Sequence, residues 1–502
     1  MRQTSKNTSG LKSYRDEKTG AERPEARDTT TNHRMRRLRL AAAALLTPGL
    51  AGCAVGPAFN MPQTNVPARF SATADAKPAW PKPGWWRHFG SPELDRLVEA
   101  AKAHNFSVIE AIDQLEAANA QAQIAGAPLL PAITGSGSGS FQQIQANAGN
   151  GLQAVDTRSF TATFQASYQL DFWGKNYDAL RAAQANAAAA EFNAATVALT
   201  AEASVATVYF QVLAYQDQLG IAQRNLKAAE GLLAQLRAEL RAGVVDAPTV
   251  AQQAALVASE RANVPNLVSQ MRQEAIGLGI LTGRAPEFLR VRGGSLGALT
   301  VPALAPGLPA GLLERRPDIA EAKANLIAAN ANVRGAIAAF FPSITLTGSG
   351  GWQSKALNLL FAPGSTLISA ATSIAQPIFE GGTLTGQLRV SRATYREDVA
   401  KYEQAVVQAF TDVETAMTAL RYATDQEALQ QVAVARARAA LDGARAQLRA
   451  GVVDIGTVLN AEQTLLSDET TLVTTRLTRL DAAVNLYKAM GGGWTAGAGK
   501  DH

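Results

Sequence analysis

The hexapeptide Arg-Ala-Gly-Val-Val-Asp occurs twice in this chain of 502 residues, at Arg241–Asp246 and at Arg449–Asp454. The copies lie 208 residues apart, and the flanking leucine, alanine and threonine positions correspond at the same spacing. A second pair of similar segments, 118–134 and 329–345, lies about 210 residues apart. Solenoid repeats are much shorter, roughly 20–50 residues. The sequence therefore predicts a duplicated unit, each copy running helix, strand hairpin, long helix, turn, long helix.

The amino-terminal region predicts export and a lipid anchor. Basic residues at 35–39 precede an apolar run at 40–46, which is far shorter than the roughly 20 residues of a membrane-spanning helix. The run ends in Leu50-Ala51-Gly52-Cys53, which resembles a bacterial lipobox, and Cys53 is the only cysteine. We expect acyl chains on Cys53 and removal of residues 1–52. The alternative is an ordinary secretory signal with an incidental thiol.

Two further features of this region shape the interpretation. Residues 1–34 are polar, which favours a translation start at Met35, and Ala54 replaces the aspartate that retains many lipoproteins at the inner membrane. Residues 1–52 also hold 11 of the 47 basic residues but only five of the 42 acidic ones. The formal charge of +5 therefore belongs to the export signal and does not indicate a nucleic-acid partner.

Residues 158–172 alternate without interruption between two kinds of side chain. Small polar residues fill the odd positions, and the even positions from 160 carry Phe160, Ala162, Phe164, Ala166, Tyr168, Leu170 and Phe172. Such a period of two predicts a strand about 45 Å long, sufficient for a tilted membrane crossing. We expect Phe160, Phe164 and Tyr168 to face lipid. A soluble sandwich strand is the alternative.

Three weaker candidates bring the number of strands to four: Ser343–Trp352, Ile133–Phe141 and Thr366–Phe379. Turn residues at 149–151 and 363–364 would arrange them as two hairpins. The smallest membrane barrels have about eight strands, and lipid tolerates no open sheet edge. The chain must therefore assemble with copies of itself.

Most of the remaining sequence predicts long helices. Apolar residues spaced alternately by three and four form a seam that leads to the first hexapeptide: Val205, Val208, Val212, Tyr215, Leu219, Ala222, Leu226, Ala229, Leu233, Leu236 and Leu240. A similar seam from Val399 leads to the second hexapeptide, with Glu427 as its charged interruption. A helix from about Lys175 to Arg241 would be roughly 100 Å long. An ordinary long helical bundle is the alternative.

Each hexapeptide is predicted to close a helical hairpin. Gly243 and Gly451 stand where a helix end favours a left-handed residue, and Asp246 and Asp454 can cap the next helix. A repeated turn is often only a turn. We expect both valines of each pair, Val244-Val245 and Val452-Val453, to be exposed beside Arg241 and Arg449 at the far end of the hairpins, which favours a docking surface.

Several segments together resemble the outer membrane factor family of tripartite efflux systems, the TolC/OprM-like channels, and especially its lipoprotein branch. The matching segments are 50–53, Trp85-Trp86 with Phe89 and 91–94, the long run 312–352, 376–382 and both hexapeptides. The similarity covers essentially the whole mature chain.

This resemblance implies an α+β membrane protein that forms a homotrimer. The strands of three copies would share one transmembrane β-barrel, and their long helical hairpins would form a periplasmic α-barrel. The hexapeptide turns would contact a periplasmic membrane-fusion (adaptor) protein, which sits on a proton-driven, RND-type inner membrane transporter.

The second hairpin departs from the family pattern. In TolC two aspartates just past this turn narrow the closed pore, whereas Thr457 and Asn460 occupy the corresponding positions here. A carboxylate constriction at that level is therefore not expected. Asp454, with or without Asp246, could supply an acidic ring nearer the tip.

The sequence contains no recognisable catalytic or metal-binding pattern. Its four histidines are widely separated, and the sole cysteine is assigned to lipid. Phosphate-binding loops, nucleophile elbows and nucleotide fingerprints are also missing from the sequence. We therefore expect no cofactor and no enzymatic activity, so energy for transport must come from a partner.

We divide the chain into a leader and signal peptide (1–52), a first repeat (53–310), a second repeat (311–490) and a flexible tail (491–502). In the first repeat we expect a β-hairpin at about 131–172 and a helical hairpin at about 175–282. In the second we expect a helix at about 317–340, a β-hairpin at about 342–379 and a helical hairpin at about 382–490.

The predicted function is a passive outer membrane duct that exports small toxic compounds. A duct for type I protein secretion would use the same fold with an ATP-driven partner. A lipid-anchored coiled-coil scaffold without a pore would not need the alternation at 158–172.

Overall fold

The fold is described from a computed structural model, which covers residues 55–70, 79–147, 152–302 and 309–495. Cys53, the signal peptide and the turn predicted at 149–151 lie outside the described residues. In the described part, seven α-helices hold most of the chain: α1 (Pro92–His104), α2 (Phe106–Gly126), α3 (Lys175–Arg241), α4 (Ala247–Leu281), α5 (Pro317–Ala338), α6 (Thr383–Arg449) and α7 (Ile455–Ala489).

The described residues also form one four-stranded antiparallel sheet in the order β1-β2-β3-β4. Its strands are β1 (Ala132–Asn147), β2 (Leu152–Leu170), β3 (Ser343–Ser354) and β4 (Thr366–Ala375). The hairpin turn at 363–364 is confirmed, and Gly364 takes a φ of 99° there. The predicted extension of the last strand to Phe379 is wrong. Pro377 lacks the N–H that a strand ladder needs, and β4 ends at Ala375.

Helices α3 and α6 each have 67 residues and are therefore about 100 Å long. Each turns back into a 35-residue partner, α4 or α7. The predicted seams lie inside these hairpins, where Val205, Val212, Val406 and Val413 are all at most 1% exposed. By length and composition α3 could cross a membrane, yet half of its most apolar stretch is buried within the protein, as in a core helix.

The two hairpins carry the same cross-helix ion pair with its charges exchanged. In the first, Glu230 of α3 binds Arg261 of α4; in the second, Arg438 of α6 binds Glu469 of α7. Both pairs occupy positions that are 208 residues apart in the chain. These pairs lie at the surface, so each contributes little to stability. They show that the duplicated hairpins keep one helix register despite divergent sequences.

Shorter helices continue the long hairpins toward the sheet. Asn105 joins α4 to α2, because its side-chain nitrogen donates to Leu281 O at 2.8 Å while its oxygen caps α2 by accepting from Ser107 N at 2.9 Å. The cap satisfies an amide that the first helical turn leaves free. Helix α2 therefore stacks on the end of α4 and leads into β1.

An aromatic cluster joins the segment before α1 to helices α3 and α7. Trp85 is fully buried and stacks on Tyr487 of α7 with ring centroids 5.0 Å apart, and Phe89 contacts Phe210 of α3 at 5.1 Å. These contacts bring the segment before α1 against the middle of α3 and the end of α7.

The expectation of a flexible tail is wrong for residues 491–495. Glycines 491–493 have positive φ values, and Trp494 packs edge-on against Phe192 of α3 with ring centroids 5.7 Å apart. Glycine accepts this backbone conformation at little steric cost, which lets the chain turn back onto α3.

Candidate functional site

The two hexapeptide turns have the same geometry. Gly243 and Gly451 both have a φ of 71°, a left-handed conformation that favours glycine. Val244 N donates to Glu239 O, and Val452 N donates to Gln447 O, each at 2.9 Å. These bonds are the Schellman closure of a helix carboxyl terminus. The expected helix ends at Arg241 and Arg449 are confirmed.

Each aspartate caps the returning helix. Asp246 Oδ1 accepts from Thr249 N at 3.1 Å, and Asp454 Oδ1 accepts from Thr457 N at 2.9 Å and from its hydroxyl at 3.0 Å. Hydrogen bonds from Thr249 lower the pKa of Asp246, and those from Thr457 lower the pKa of Asp454. Both carboxylates therefore remain charged in neutral solution.

Only one valine of each pair projects fully from its turn. Val244 is 72% exposed and Val452 71%, whereas Val245 and Val453 are half-buried. The expectation that both valines of a pair are exposed is thus wrong. Val244 and Val452 directly follow the left-handed glycine, whereas Val245 and Val453 adjoin the aspartate that caps the returning helix. Arg241 and Arg449 are exposed beside the projecting valines.

The three residues considered for a constriction lie on the first turns of the second returning helix. Asp454 and Thr457 are hydrogen-bonded to each other, and Asn460 is exposed one turn further along α7. The side chains of Asp454 and Thr457 are thus engaged in helix capping.

The sheet has one apolar face. In the strand register Phe164 lies opposite Gly135 of β1 and Gly350 of β3, and Tyr168 lies opposite Leu346. Phe160, Phe164 and Tyr168 share this face, and Phe164 is 62% exposed. The glycines leave room for the aromatic rings, because a Cβ atom at Gly139 would lie 3.2 Å from the ring of Phe160.

The opposite face is hydroxyl-rich. Thr163 lies opposite Ser136, and their hydroxyl oxygens are 3.0 Å apart; those of Ser349 and Ser369 are 2.7 Å apart. Apolar and polar residues are therefore segregated on neighbouring strands around Phe164 and Thr163, and not on β2 alone. This segregation suits a wall between lipid and a polar pore.

A buried arginine joins three elements beneath the sheet. Arg316, at the start of α5, donates to Asp318 at 2.5 Å, to Asp412 of α6 at 2.9 Å and to Ala489 O at the end of α7 at 3.2 Å. Burial opposes the charge, but Asp318 and Asp412 keep the pKa of Arg316 raised. The helix start at Pro317 is confirmed. Sequence reasoning missed this contact, because Asp412 lies 96 residues away.

Glu427, the charged interruption of the second seam, is only 4% exposed. It accepts from Arg476 Nε and Arg479 Nη1 of α7, each at 2.9 Å. Burial acts against the charge, yet the two arginines lower the pKa of Glu427. The corresponding positions of the first hairpin hold Leu219, Val268 and Met271. The ion pairs thus belong to the second hairpin alone.

Two further carboxyl groups are largely shielded from water: Glu202, beside Trp85 of the aromatic cluster, and Asp481 on α7. Burial raises the pKa of Glu202 from 4.5 to about 7, although it accepts from Trp85 Nε1 at 3.2 Å. Burial likewise raises the pKa of Asp481 to about 7, and its Oδ1 has no hydrogen-bond partner among the described residues. In the same residues no group of three or more His, Cys, Asp or Glu side chains could hold a metal ion.

The chain combines two long helical hairpins with a four-stranded sheet that has one apolar and one polar face. This combination is typical of a membrane channel subunit and not of a soluble helical bundle. The family model described as "Outer membrane efflux protein" matches residues 97–284 and 308–492, so the chain belongs to that family. Members of this family are outer membrane efflux channels that extend into the periplasm, act in tripartite efflux systems with partner proteins and are not enzymes.

Similar proteins span nearly the same length. The chain is 38% identical to the pyoverdine export outer membrane protein OpmQ of Pseudomonas aeruginosa over 416 residues, which is 82% of this chain and 87% of OpmQ. It is 32% identical to the toluene efflux pump outer membrane protein TtgC of Pseudomonas putida over 464 residues, 91% of this chain and 95% of TtgC. The open-state MtrE channel of Neisseria gonorrhoeae matches with a TM-score of 0.80 and 30% identity, covering 88% of this chain and 98% of MtrE. This outer membrane efflux channel thus has the α+β fold predicted from its sequence, with long helices and a four-stranded antiparallel sheet in the described residues.

Proposed function

We propose that three copies of this chain form a passive duct for small toxic compounds, joined at the hexapeptide turns to a periplasmic adaptor and through it to an RND-type transporter. The observation that carries this proposal is the two-faced sheet with open edges at β1 and β4. Each copy supplies too few strands for closure, and lipid does not tolerate an unpaired edge. Pairing of β4 with β1 of the next copy satisfies both edges.

The amino-terminal segment supports lipidation of Cys53. Residues 55–70 run along α5 and α6: a Cβ atom at Gly56 would lie 2.9 Å from Arg334 Cγ, and Phe70 contacts Phe410 with ring centroids 6.5 Å apart. Arg334 is itself held by the fully buried Asp178 at 3.0 Å. Since Arg334 lies only nine positions before β3, the described segment that begins at residue 55 starts close to the sheet end of the helices. Acyl chains on Cys53 would reach the inner leaflet there.

The turns suit docking better than catalysis. Each offers one projecting valine, an exposed arginine and a charged aspartate, and their backbone closure does not depend on the valine side chain. Several weak contacts repeated around a ring act together as one strong attachment. Asp454, Thr457 and Asn460 would line the mouth of the duct at the second turn. We assign the first repeat to 53–310 and the second to 311–490, and no catalytic role to any residue.

Substrates of the relatives differ widely in chemistry. OpmQ is named for the export of pyoverdine, and TtgC for the efflux of toluene. One scaffold serving such different cargoes supports a duct that does not select, with selection left to the transporter.

Deletion of the gene tests the proposal. A strain without the channel should become more susceptible to drugs, solvents or metal salts, and the wild-type gene on a plasmid should restore resistance. Native mass spectrometry of the detergent-extracted protein should give a trimer. Unchanged susceptibility to every class, together with loss of secretion of a protein, would favour a type I secretion duct instead.

A further inference from the structure

The loop between β3 and β4, residues 355–365, lies at the end of the sheet farthest from the helices. Four of its backbone N–H groups donate to the carbonyl oxygen three residues earlier, and Ser365 Oγ donates to Leu359 O at 2.8 Å. The loop nevertheless exposes large apolar side chains: Leu357 (64%), Leu359 (52%) and Phe361 (70%). A loop that bonds its own backbone groups and presents apolar side chains is suited to apolar surroundings.

A ring contact places this loop on the apolar side of the sheet. Phe361 meets Trp352 of β3 edge-on, with ring centroids 5.3 Å apart. Trp352 lies opposite Ala162 in the strand register, so it shares a face with Phe160 and Phe164. The loop therefore folds over the face assigned to lipid. A loop that closed the pore would instead lie on the hydroxyl-rich face.

The height of the apolar face places the loop at a membrane boundary. From Leu170 to Phe160, β2 advances ten positions, which is about 33 Å along the strand. At a strand tilt of about 40° this corresponds to about 25 Å in height, the thickness of the apolar band of an outer membrane barrel. The helices at the other end extend into the periplasm, so Phe160 and its register partner Ser354 mark the outer-leaflet boundary.

Two cations lie at this boundary. Lys355 is the first residue after β3, and Arg158 lies two positions beyond Phe160 on the same face of β2. The guanidinium of Arg158 lies over the ring of Phe141, 5.4 Å from its centroid. Asp156 follows on that face, one step farther from the membrane. Among the described residues both cations are exposed and have no ion-pair partner.

We propose that the β3–β4 loop and these two cations form a docking site for a phosphorylated lipid of the outer leaflet. Leu357, Leu359 and Phe361 lie among its acyl chains, and Arg158 and Lys355 bind its phosphate groups. Charge-assisted hydrogen bonds to phosphate are strong, and basic side chains beside apolar ones favour an anionic lipid surface. The proposal rests on the lipid-facing sheet of the proposed channel and adds a site that fixes the depth of its outer rim.

Fluorescence quenching tests the position of the loop. A bimane label on Leu359→Cys, in trimers reconstituted in phosphatidylethanolamine vesicles with a doxyl lipid labelled near the head group, should be quenched by that lipid and not by aqueous iodide. Ala166→Cys on the apolar face should behave in the same way, and Ser369→Cys on the hydroxyl-rich face should be quenched by iodide. The unsubstituted protein, treated with the same reagent, corrects for any labelling of Cys53.

Lipid retention tests the two cations. Wild-type trimers incubated with lipid A in detergent should retain it in native mass spectra. Arg158→Gln with Lys355→Gln should lower the retained fraction about tenfold or more. Arg290→Gln with Arg292→Gln is the matched control, because it removes two exposed arginines that lie between the repeats and away from the sheet, and retention should not change.

The outcomes separate this site from the channel itself. If the label at 166 is quenched by lipid while the label at 359 is quenched only by iodide, the loop projects into water and the docking site is overturned, while the barrel wall stands. Equal retention of lipid A by wild type and by the Arg158→Gln, Lys355→Gln variant would also overturn the site. Quenching of the label at 166 by iodide alone would contradict the lipid-facing sheet and the proposed channel wall.

Discussion

Phe164 of β2 packs over Gly135 of β1, where an added Cβ atom would lie 3.3 Å from the ring carbon Cε1. The same relationship joins Phe160 to Gly139 at 3.2 Å. The glycine-rich stretch of β1 therefore makes room for aromatic rings of its partner strand. These rings lie on the face that carries Tyr168, Leu346 and Ile374 in the register. The apolar side of β2 is thus continuous with apolar residues of β3 and β4.

The apolar face predicts different tolerance at two adjacent positions. A charge facing lipid near the bilayer midplane costs about 2–4 kcal/mol, whereas a polar wall accepts it. Phe164→Arg should therefore reduce the amount of trimer inserted in the outer membrane, and Thr163→Arg should be better tolerated. Heat-modifiable migration of the outer membrane fraction on gels measures insertion. Equal loss in both variants would show that the faces are assigned wrongly.

Most of the fold could be predicted from local sequence patterns. The ends of α3 and α6 followed from glycine and aspartate in the repeated turn, because capping depends on residues close in sequence. The strand faces followed from a period of two. Contacts such as Arg316 with Asp412 could not be predicted, because they depend on how distant helices pack. The exposure of Val245 was misjudged for a related reason, since a side-chain direction depends on backbone angles that composition does not specify.

Lipidation gives a prediction about the mature amino terminus. We expect the chain to begin at Cys53 with acyl chains attached, since the segment from Gly56 is packed against Arg334 near the membrane end. Intact mass of the membrane-extracted protein should equal residues 53–502 plus the acyl groups. In Cys53→Ser the added mass should disappear. A mature chain starting at any other residue would refute the assignment.

The ion pairs of Glu427 with Arg476 and Arg479 predict that acid lowers the stability of the second hairpin. Its pKa is lowered in the folded protein, so its contribution to stability is present above the unfolded value of 4.5 and is lost as pH falls through the folded pKa. Glu427→Gln leaves Arg476 and Arg479 without their carboxylate and should cost about 3 kcal/mol at pH 7. The figure is at the low end of the range because both arginines remain partly exposed.

Thermal unfolding between pH 7 and pH 3 measures this difference. Wild type should lose stability toward acid, whereas the Gln variant should start lower and change less. Glu110→Gln, a substitution of an exposed glutamate on α2, is the control and should follow the wild-type curve. Parallel curves for Glu427→Gln and wild type would mean that the cluster does not stabilise the folded state.

Asp481 predicts the opposite dependence on pH. Burial raises its pKa from 3.8 to about 7, so the folded protein keeps a proton that the unfolded chain releases. Stability from this group is therefore present below pH 3.8 and declines as pH rises toward about 7. Asp481→Asn should remove that decline and stabilise the protein at pH 8 by at most about 4 kcal/mol. Identical melting of variant and wild type at pH 8 would contradict it.

The last prediction concerns the repeated turns. Val244→Asp combined with Val452→Asp introduces a charge on the projecting residue of each turn, while the left-handed glycines and aspartate caps remain. Backbone bonds from Val244 N and Val452 N do not involve the side chain. The double variant should therefore keep its helices, lipid and trimeric state yet lose efflux, as measured by substrate accumulation in cells. Photocrosslinkers at the same two positions should capture a periplasmic adaptor in the wild-type background.

A separate control variant, Val244→Ala with Val452→Ala, distinguishes the effect of charge from that of lost contact area, since alanine should weaken efflux without abolishing it. Efflux at wild-type rates in the aspartate variant would show that these turns close the hairpins and do nothing more.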